Sequence, residues 1–180
     1  VPFSGATIYD AAHEYTGNLH GYFVHRAMLA LRPGGYAVLV TSRHMLDGGD
    51  LAKLVTRNGD VAFIGAVRLP SGVFSGTEVP ADIVVLRRND DVHTQQPYAF
   101  PADAEGNGYQ AEDRRPVVGG SEKYPAQPVS RYWEGRWGQV AGRHTATGAY
   151  MMPLVVKSEA PEVAIAHAVE ALIGSGLPAY

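Results

Sequence analysis

Three short and nearly continuous apolar runs constrain this chain most: Tyr36–Val40, Val61–Leu69, and Ile83–Leu86 inside the segment Asp82–Arg88. A strand covered on both faces reads this way, whereas a strand with one wet face alternates. The first run follows directly on Arg32-Pro33-Gly34-Gly35. That sequence closes a helix, because Pro cannot continue one and Gly tolerates a positive φ just past its end. The helix it closes starts at Asn18, whose side chain can accept from an orphan backbone N–H. Leu19, Tyr22, Phe23, Ala27, Ala30 and Leu31 recur at helical spacing and predict its buried face. Gly48–Arg57 reads as a second helix, with Leu51, Leu54 and Val55 inward. The order helix, strand, helix, strand, loop, strand is that of an open α/β sheet with buried strands. Only the turn-rich Pro70–Pro80 separates the last two strands. A parallel pair needs a crossover of about a dozen residues, so this pair is expected to be antiparallel.

The remainder is less regular. Asn89–Arg131 has little periodicity and reads as a long surface excursion. Gly138–Val156 reads as a hairpin, with Thr147-Gly148 near its turn. Ser158 can cap a last helix with Pro161 in its first turn and Val163, Ile165, Ala166, Val169, Leu172 and Ile173 as apolar positions. Charge divides the chain in the same places. Residues 1–107 carry 8 basic and 11 acidic side chains, residues 108–157 carry 7 and 4, and residues 158–180 carry 3 Glu and no base. The expected units are therefore residues 1–88, a loop-rich basic and aromatic extension over 89–157, and a C-terminal helix over 158–180.

Composition excludes several chemistries. With no cysteine in 180 residues, the chain cannot supply a disulfide scaffold, a Cys-ligated zinc or a thiol nucleophile. Its seven His form no HxH or HExxH pattern, so no metal site is expected and surface histidines are the plain reading. Ser42 follows a strand without GxSxG context. No GxGxxG or P-loop is present. No apolar run approaches the roughly 20 residues of a membrane span, and no signal peptide is visible, so a soluble cytoplasmic protein is expected. The chain starts at Val1 without Met, which suggests a piece of a longer protein.

One combination stands out. Val1-Pro2-Phe3 opens the chain, and a helix ending in Leu31-Arg32-Pro33-Gly34-Gly35 leads into a strand. Then come Phe63 to Pro70, Gly72-Val73-Phe74, Gly76-Thr77 and Asp82 to Leu86. This run resembles the second half of an S-adenosylmethionine-dependent DNA adenine-N6 methyltransferase of the kind linked to large phage and plasmid helicases. Arg131–Val156 resembles, more weakly, a Trp-containing segment that follows the methylase in those proteins. The family motif is Asn/Asp-Pro-Pro-Tyr/Phe, in the helicase-linked variant Asn-Val-Pro-Phe, and Val1-Pro2-Phe3 resembles its last three positions.

The resemblance implies a Rossmann-like class I methyltransferase sheet, here its second half, ending in an antiparallel hairpin. It implies a flipped adenine whose N6 hydrogens are accepted by the motif's side chain and by a backbone carbonyl, that of Val1. Pro2 would stiffen the turn, and Phe3 would stack on the base. S-adenosylmethionine would bind mostly upstream of this chain, so the isolated chain is expected to be inactive. Its expected partners are DNA, the missing N-terminal half of the domain and a helicase domain in the same protein of mobile-element or defence type. Arg43 and His44 follow the C-terminal end of a strand, where open α/β sheets place ligands. Arg131, Arg136 and Arg143 lie among Tyr109, Tyr124, Tyr132, Trp133, Trp137 and Tyr150, a mixture that can hold nucleic acid by phosphate contacts and stacking. Leu69-Pro70 and Phe74 read as core and turn residues, and Thr77 and Asp82 as side chains that pin the hairpin. Two alternatives remain at this stage: a degenerate methylase-like module that binds DNA or a partner without catalysis, and a class I methyltransferase for RNA or protein.

Overall fold

A computed structural model describes residues 6–75, 77–90, 117–134, 138–147 and 154–174. Val1, Pro2, Phe3, Arg136 and the Thr147-Gly148 turn beyond Thr147 lie outside the described residues.

A small hairpin leads in: β1 (Thr7–Asp10) pairs antiparallel with β2 (Tyr15–Asn18). Helix α1 (Leu19–Ala30) follows at once, and Asn18 caps it as expected, its Oδ1 accepting from Gly21 N at 2.7 Å. Its buried face is a correction. His20, Gly21, Val24, His25 and Met28 face inward, while Phe23 and Leu29 are exposed. The helix is apolar on more than one side, so spacing alone does not choose the face. The buried imidazoles settle it by bonding. His25 donates from Nε2 to the His13 carbonyl at 2.9 Å, accepts at Nδ1 from Asn58 at 3.2 Å, and stacks on Tyr15. His20 and His25 are therefore core residues rather than the surface histidines expected.

The main sheet is built from β3 (Tyr36–Ser42), β4 (Val61–Arg68) and β5 (Ala81–Arg88). Short helices α2 (His44–Asp47) and α3 (Asp50–Arg57) join β3 to β4. The strand order is β3-β5-β4, with β5 antiparallel to both neighbours. The expected antiparallel last pair is thus observed, and the α/β class with it. The two strands that flank β5 run parallel to one another without touching, which is the terminal half-sheet the resemblance implied. All eight residues of β4 are buried. Strand β3 differs from its expected burial on both faces. Its residues alternate, with Tyr36, Val38 and Val40 outward, and β5 is its one strand neighbour among the described residues.

The rest of the chain closes over β4. A two-residue pair, β6 (Val117–Val118) with β7 (Gln127–Pro128), precedes a single 3₁₀ turn at Arg131–Glu134. Strand β8 (Gly138–Val140) does not join the expected hairpin but extends the main sheet parallel to β4. The hairpin is narrower: β9 (Arg143–Ala146) pairs with β10 (Leu154–Lys157). Helix α4 (Pro161–Gly174) begins at Pro161, so the residue before it is Ala160 and not the expected cap Ser158. It buries Ala168 and Leu172 against β4, and a Cβ on Gly65 would sit 2.5 Å from the Leu172 side chain. Val163 and Ile173, expected inward, are exposed because α4 touches the sheet along a narrow stripe.

Tyr132, Trp133 and Leu154 share one apolar cluster with Val24, Met28, Leu51, Phe63 and Leu86. Tyr132 accepts at its hydroxyl from Ala66 N at 2.7 Å inside that cluster. Aromatic residues of the basic extension therefore pack as core. Among the described residues, no helix is long and apolar enough to cross a membrane.

Candidate functional site

Ligands bind where strands of an open α/β sheet end at their carboxyl ends. At that end of β3 the structure holds a cavity of about 870 Å³. Four pieces build it. Val40 and Ser42 come from β3, Asn18 and His20 from the start of α1, His44 from the residue after the strand's turn, and Phe74, Thr77, Val79, Pro80 and Ala81 from the loop between β4 and β5.

The loop holds its shape through its own bonds. Thr77 N donates to the Phe74 carbonyl at 3.3 Å, and Val79 N donates to Thr77 Oγ1 at 3.1 Å. Thr77 thus pins the hairpin as expected. Gly72 has φ +80°, and a Cβ there would lie 3.2 Å from the Glu78 carboxylate, so glycine suits the turn twice over. Ser71 fastens the loop's start to β10, donating from N to the Val156 carbonyl at 2.8 Å and accepting from Val156 N at 2.9 Å. Leu69 and Pro70 are buried beneath, as expected. Phe74 is not. It is 43 % exposed and forms a wall of the cavity.

The lining has two sides. Phe74, Val40, Val79 and Pro80 are apolar, Asn18, His20, Ser42, Thr77 and His44 carry donors and acceptors, and no carboxylate is among the described lining residues. His20 shares a 3.3 Å hydrogen bond with Ser42 Oγ through Nδ1. Burial pushes its pKa down to about 4, so it is neutral at neutral pH. Burial and then the Arg43 charge lower that of His44 as well. A planar ring with hydrogen-bonding edges fits such a lining. Among the described residues no group of His, Asp and Glu could hold a metal ion.

A buried ion cluster backs the cavity. Arg68 makes a bidentate pair with Asp82, 2.8 Å from Nε to Oδ1 and 2.8 Å from Nη2 to Oδ2. Its Nη1 donates to Asp47 Oδ2 at 3.0 Å, and Arg43 Nη1 donates to the same oxygen at 3.0 Å. Asp47 Oδ1 accepts from Ser130 N at 2.8 Å, Arg68 Nη1 donates to His144 Nε2 at 3.3 Å, and the Arg68 guanidinium lies 4.4 Å from the Trp133 ring centroid. The sheet is thereby tied to the extension. Asp82 does pin the hairpin, but by this ion pair rather than by a bond to backbone.

The sequence-based candidates separate accordingly. His44 lines the cavity. Arg43 sits beside it in sequence, yet its side chain is buried in the ion cluster and does not line the cavity. Arg131 lies in the 3₁₀ turn, with its side chain outside the described residues. Arg143 is exposed on β9 and does not line the cavity. His20, Ser42 and Phe74 were missed as lining residues. Phe74 had a signal in its fixed distance from Leu69-Pro70. The two others had none, because a His and a Ser far apart in sequence meet only through the fold.

No family model matches the chain. It is 30 % identical over 95 residues to the defense against restriction protein B of Escherichia phage P1, covering 49 % of this chain and 4 % of that protein. Among solved structures it is similar to a chain assigned to the class I S-adenosylmethionine-dependent methyltransferases, from Listeria monocytogenes. There the identity is 19 % and the TM-score 0.41, over 59 % of this chain and 35 % of the other. It is also similar to the M protein of the type I restriction enzyme EcoKI, with 17 % identity and a TM-score of 0.44 over 97 % of this chain and 46 % of the other. The chain spans less than half the length of each.

Proposed function

We propose that this chain is the substrate-side part of an S-adenosylmethionine-dependent methyltransferase that acts on adenine N6 in DNA. The observation that carries the reading is the cavity at the carboxyl end of β3, with Phe74 on one wall and neutral donors and acceptors on the other. An adenine turned out of a duplex brings a flat ring and a hydrogen-bonding edge, and it is held by stacking and by bonds to that edge. In this reading Phe74 meets the ring face, and His20, Ser42 and Thr77 face its edge. Val1, Pro2 and Phe3, from the resemblance, supply the carbonyl and the second aromatic that position N6, and positioning supplies much of the rate.

The described residues do not form the donor's site. Among the described residues that line the cavity there is no carboxylate to take a ribose. On this reading S-adenosylmethionine is held by other residues of the protein, in an N-terminal half that completes the sheet. A helicase domain in the same protein belongs to the same proposal, and the phage P1 relative, a defence-against-restriction protein, supports a mobile-element setting.

Labelled methyl transfer tests the reading in the complete protein that carries this chain. Adenine in duplex DNA should accept label, and Phe74→Ala should weaken the reaction on the order of 5- to 150-fold, the worth of about 1–3 kcal/mol of stacking. Transfer to RNA or protein instead of DNA overturns the substrate. No transfer to any of them leaves the methylase-like binding module as the surviving reading.

A further inference from the structure

A second built surface lies on the extension. In the β9–β10 hairpin, Arg143 stands directly opposite Lys157. The adjacent pair, His144 with Val156, turns the other way, His144 toward Arg68 and Val156 into the interior. Arg143 and Lys157 are exposed, and among the described residues neither forms an ion pair. Like charges placed directly across a ladder destabilise it, and a hairpin of four residues a strand has little stability to lose. An anion between the two cations turns that repulsion into binding.

The space for one is present. Arg143 and Lys157 border an open cleft of about 810 Å³ whose other side is the turn Gly119–Ser121 with Tyr124. Tyr124 is 40 % exposed, and Lys123 Nζ lies 5.3 Å from its ring centroid. The turn is specific. Gly120 N donates to the Tyr124 carbonyl at 2.7 Å, and Tyr124 N donates to Ser121 Oγ at 3.1 Å. Gly119 has φ +88°, and a Cβ there would meet that carbonyl oxygen at 2.7 Å. Two cations, an exposed ring, Ser121 and Thr145 thus line one channel. Glu78 and Glu159 line the opposite side of the two cations, which confines an anion to the Tyr124 side. The channel is joined to the candidate base site, since Val156, next to Lys157, is bonded to Ser71 at the start of the loop that carries Phe74.

We propose that this cleft holds the phosphodiester backbone of the DNA, with Arg143 and Lys157 bracketing a phosphate and Tyr124 against the sugar or base beside it. The inference rests on DNA being the substrate and adds where its strand runs. Cations and an accessible ring are the means by which proteins track a nucleic-acid strand.

Fluorescence anisotropy of a labelled DNA duplex with the complete protein that carries this chain tests it. Each phosphate contact contributes about 0.9 to the salt slope. The double variant Arg143→Gln with Lys157→Gln should therefore lose about 1.8 of slope, so its affinity falls about 12-fold less than the parent's between about 50 and 200 mM salt. Lys157→Glu should form a cross-strand pair with Arg143, bind DNA more weakly, and melt no lower than the parent. An unchanged slope overturns the cleft, as does a Lys157→Glu variant that loses DNA only because it melts lower. Polyglutamate binding that needs both cations, without DNA binding, assigns the surface to an acidic protein and also overturns it. The methylase reading fails separately. Adenine methylation with an unchanged slope sinks the cleft alone, and a changed slope without methylation supports the cleft and sinks the methylase.

Discussion

Two groups of charges in this molecule obey opposite rules. In the cluster of Arg68, Asp82, Asp47 and Arg43, every guanidinium meets a carboxylate at 2.8–3.0 Å, and all four side chains are buried. In the hairpin, Arg143 and Lys157 face each other in the open with no acidic partner among the described residues. The first arrangement satisfies itself and serves the fold, joining β4, β5 and α2 to Ser130, Trp133 and His144. The second is unmatched among the described residues, and on the proposed reading a phosphate completes it. Matching of charge, more than its amount, separates a structural group from a binding group here.

The cluster should be the more costly to break. Asp82→Asn leaves Arg68 with a buried charge and one carboxylate neighbour, and such losses cost about 3–5 kcal/mol. Urea denaturation should show a drop of that size. Replacing both partners by apolar side chains, Arg68→Met with Asp82→Leu, should recover a good part of it, because a filled apolar site escapes the desolvation cost. A double variant as unstable as the single would mean that Arg68 holds the extension mainly through Asp47.

Acid should attack the cluster before it touches the hairpin pair. His144 is held neutral, its pKa pushed down to about 4 by burial first and then by Arg68 and Arg43, with Asp47 opposing. The unfolded chain takes up that proton near pH 6.5. Between about pH 6.5 and 4 the unfolded state therefore binds more protons, and stability falls as the pH falls. His20 acts with the same sign over the same window. Both imidazoles are partly reached by solvent, so screening reduces what each contributes across that window. Asp10 acts later, its carboxyl held down to about 2 by the Tyr22 and His13 hydrogen bonds, so its contribution is lost only below its ordinary value near 3.8. His144→Gln should flatten the fall in melting temperature between neutral pH and pH 4.5. An equal slope in parent and variant would remove His144 from the account.

The frame of this molecule was legible because its strands are short and apolar and its turns carry Pro and Gly. Asn18, the Arg32–Gly35 stop and the antiparallel β4–β5 pair each rest on neighbours in sequence. The buried face of α1 was not legible, because Phe23 and Val24 are equally apolar and the choice rests on His20 and His25 finding partners in Ser42, His13 and Asn58. Arg43 read as a ligand contact and Asp82 as a pin of the hairpin, and only the fold brings them within bonding distance of Asp47 and Arg68. Strand β8 is similar. Gly138–Val140 read as part of a hairpin, and three residues are too few to show from sequence that they pair with β4 instead. Phe74 was placed in the core because a lone aromatic is most often buried, yet the loop's own bonds hold it outward.

The smallest effect is the sharpest test of the contrast. Arg143→Gln removes one of two facing cations and no bond to a carboxylate, so it should not destabilise the free chain. Relief of cross-strand repulsion predicts a gain of about 0.2–1 kcal/mol at low salt. At about 1 M salt the screening length falls to about 3 Å and the gain should vanish. In the presence of DNA the sign should reverse, because the parent is stabilised by a ligand that the variant holds less well. Removing an arginine therefore lowers stability in the buried cluster under every condition, and on the hairpin it raises stability until the ligand arrives. A destabilisation by Arg143→Gln that persists at high salt would show that its stem packs as structure, and the two groups of charges would then differ in degree and not in kind.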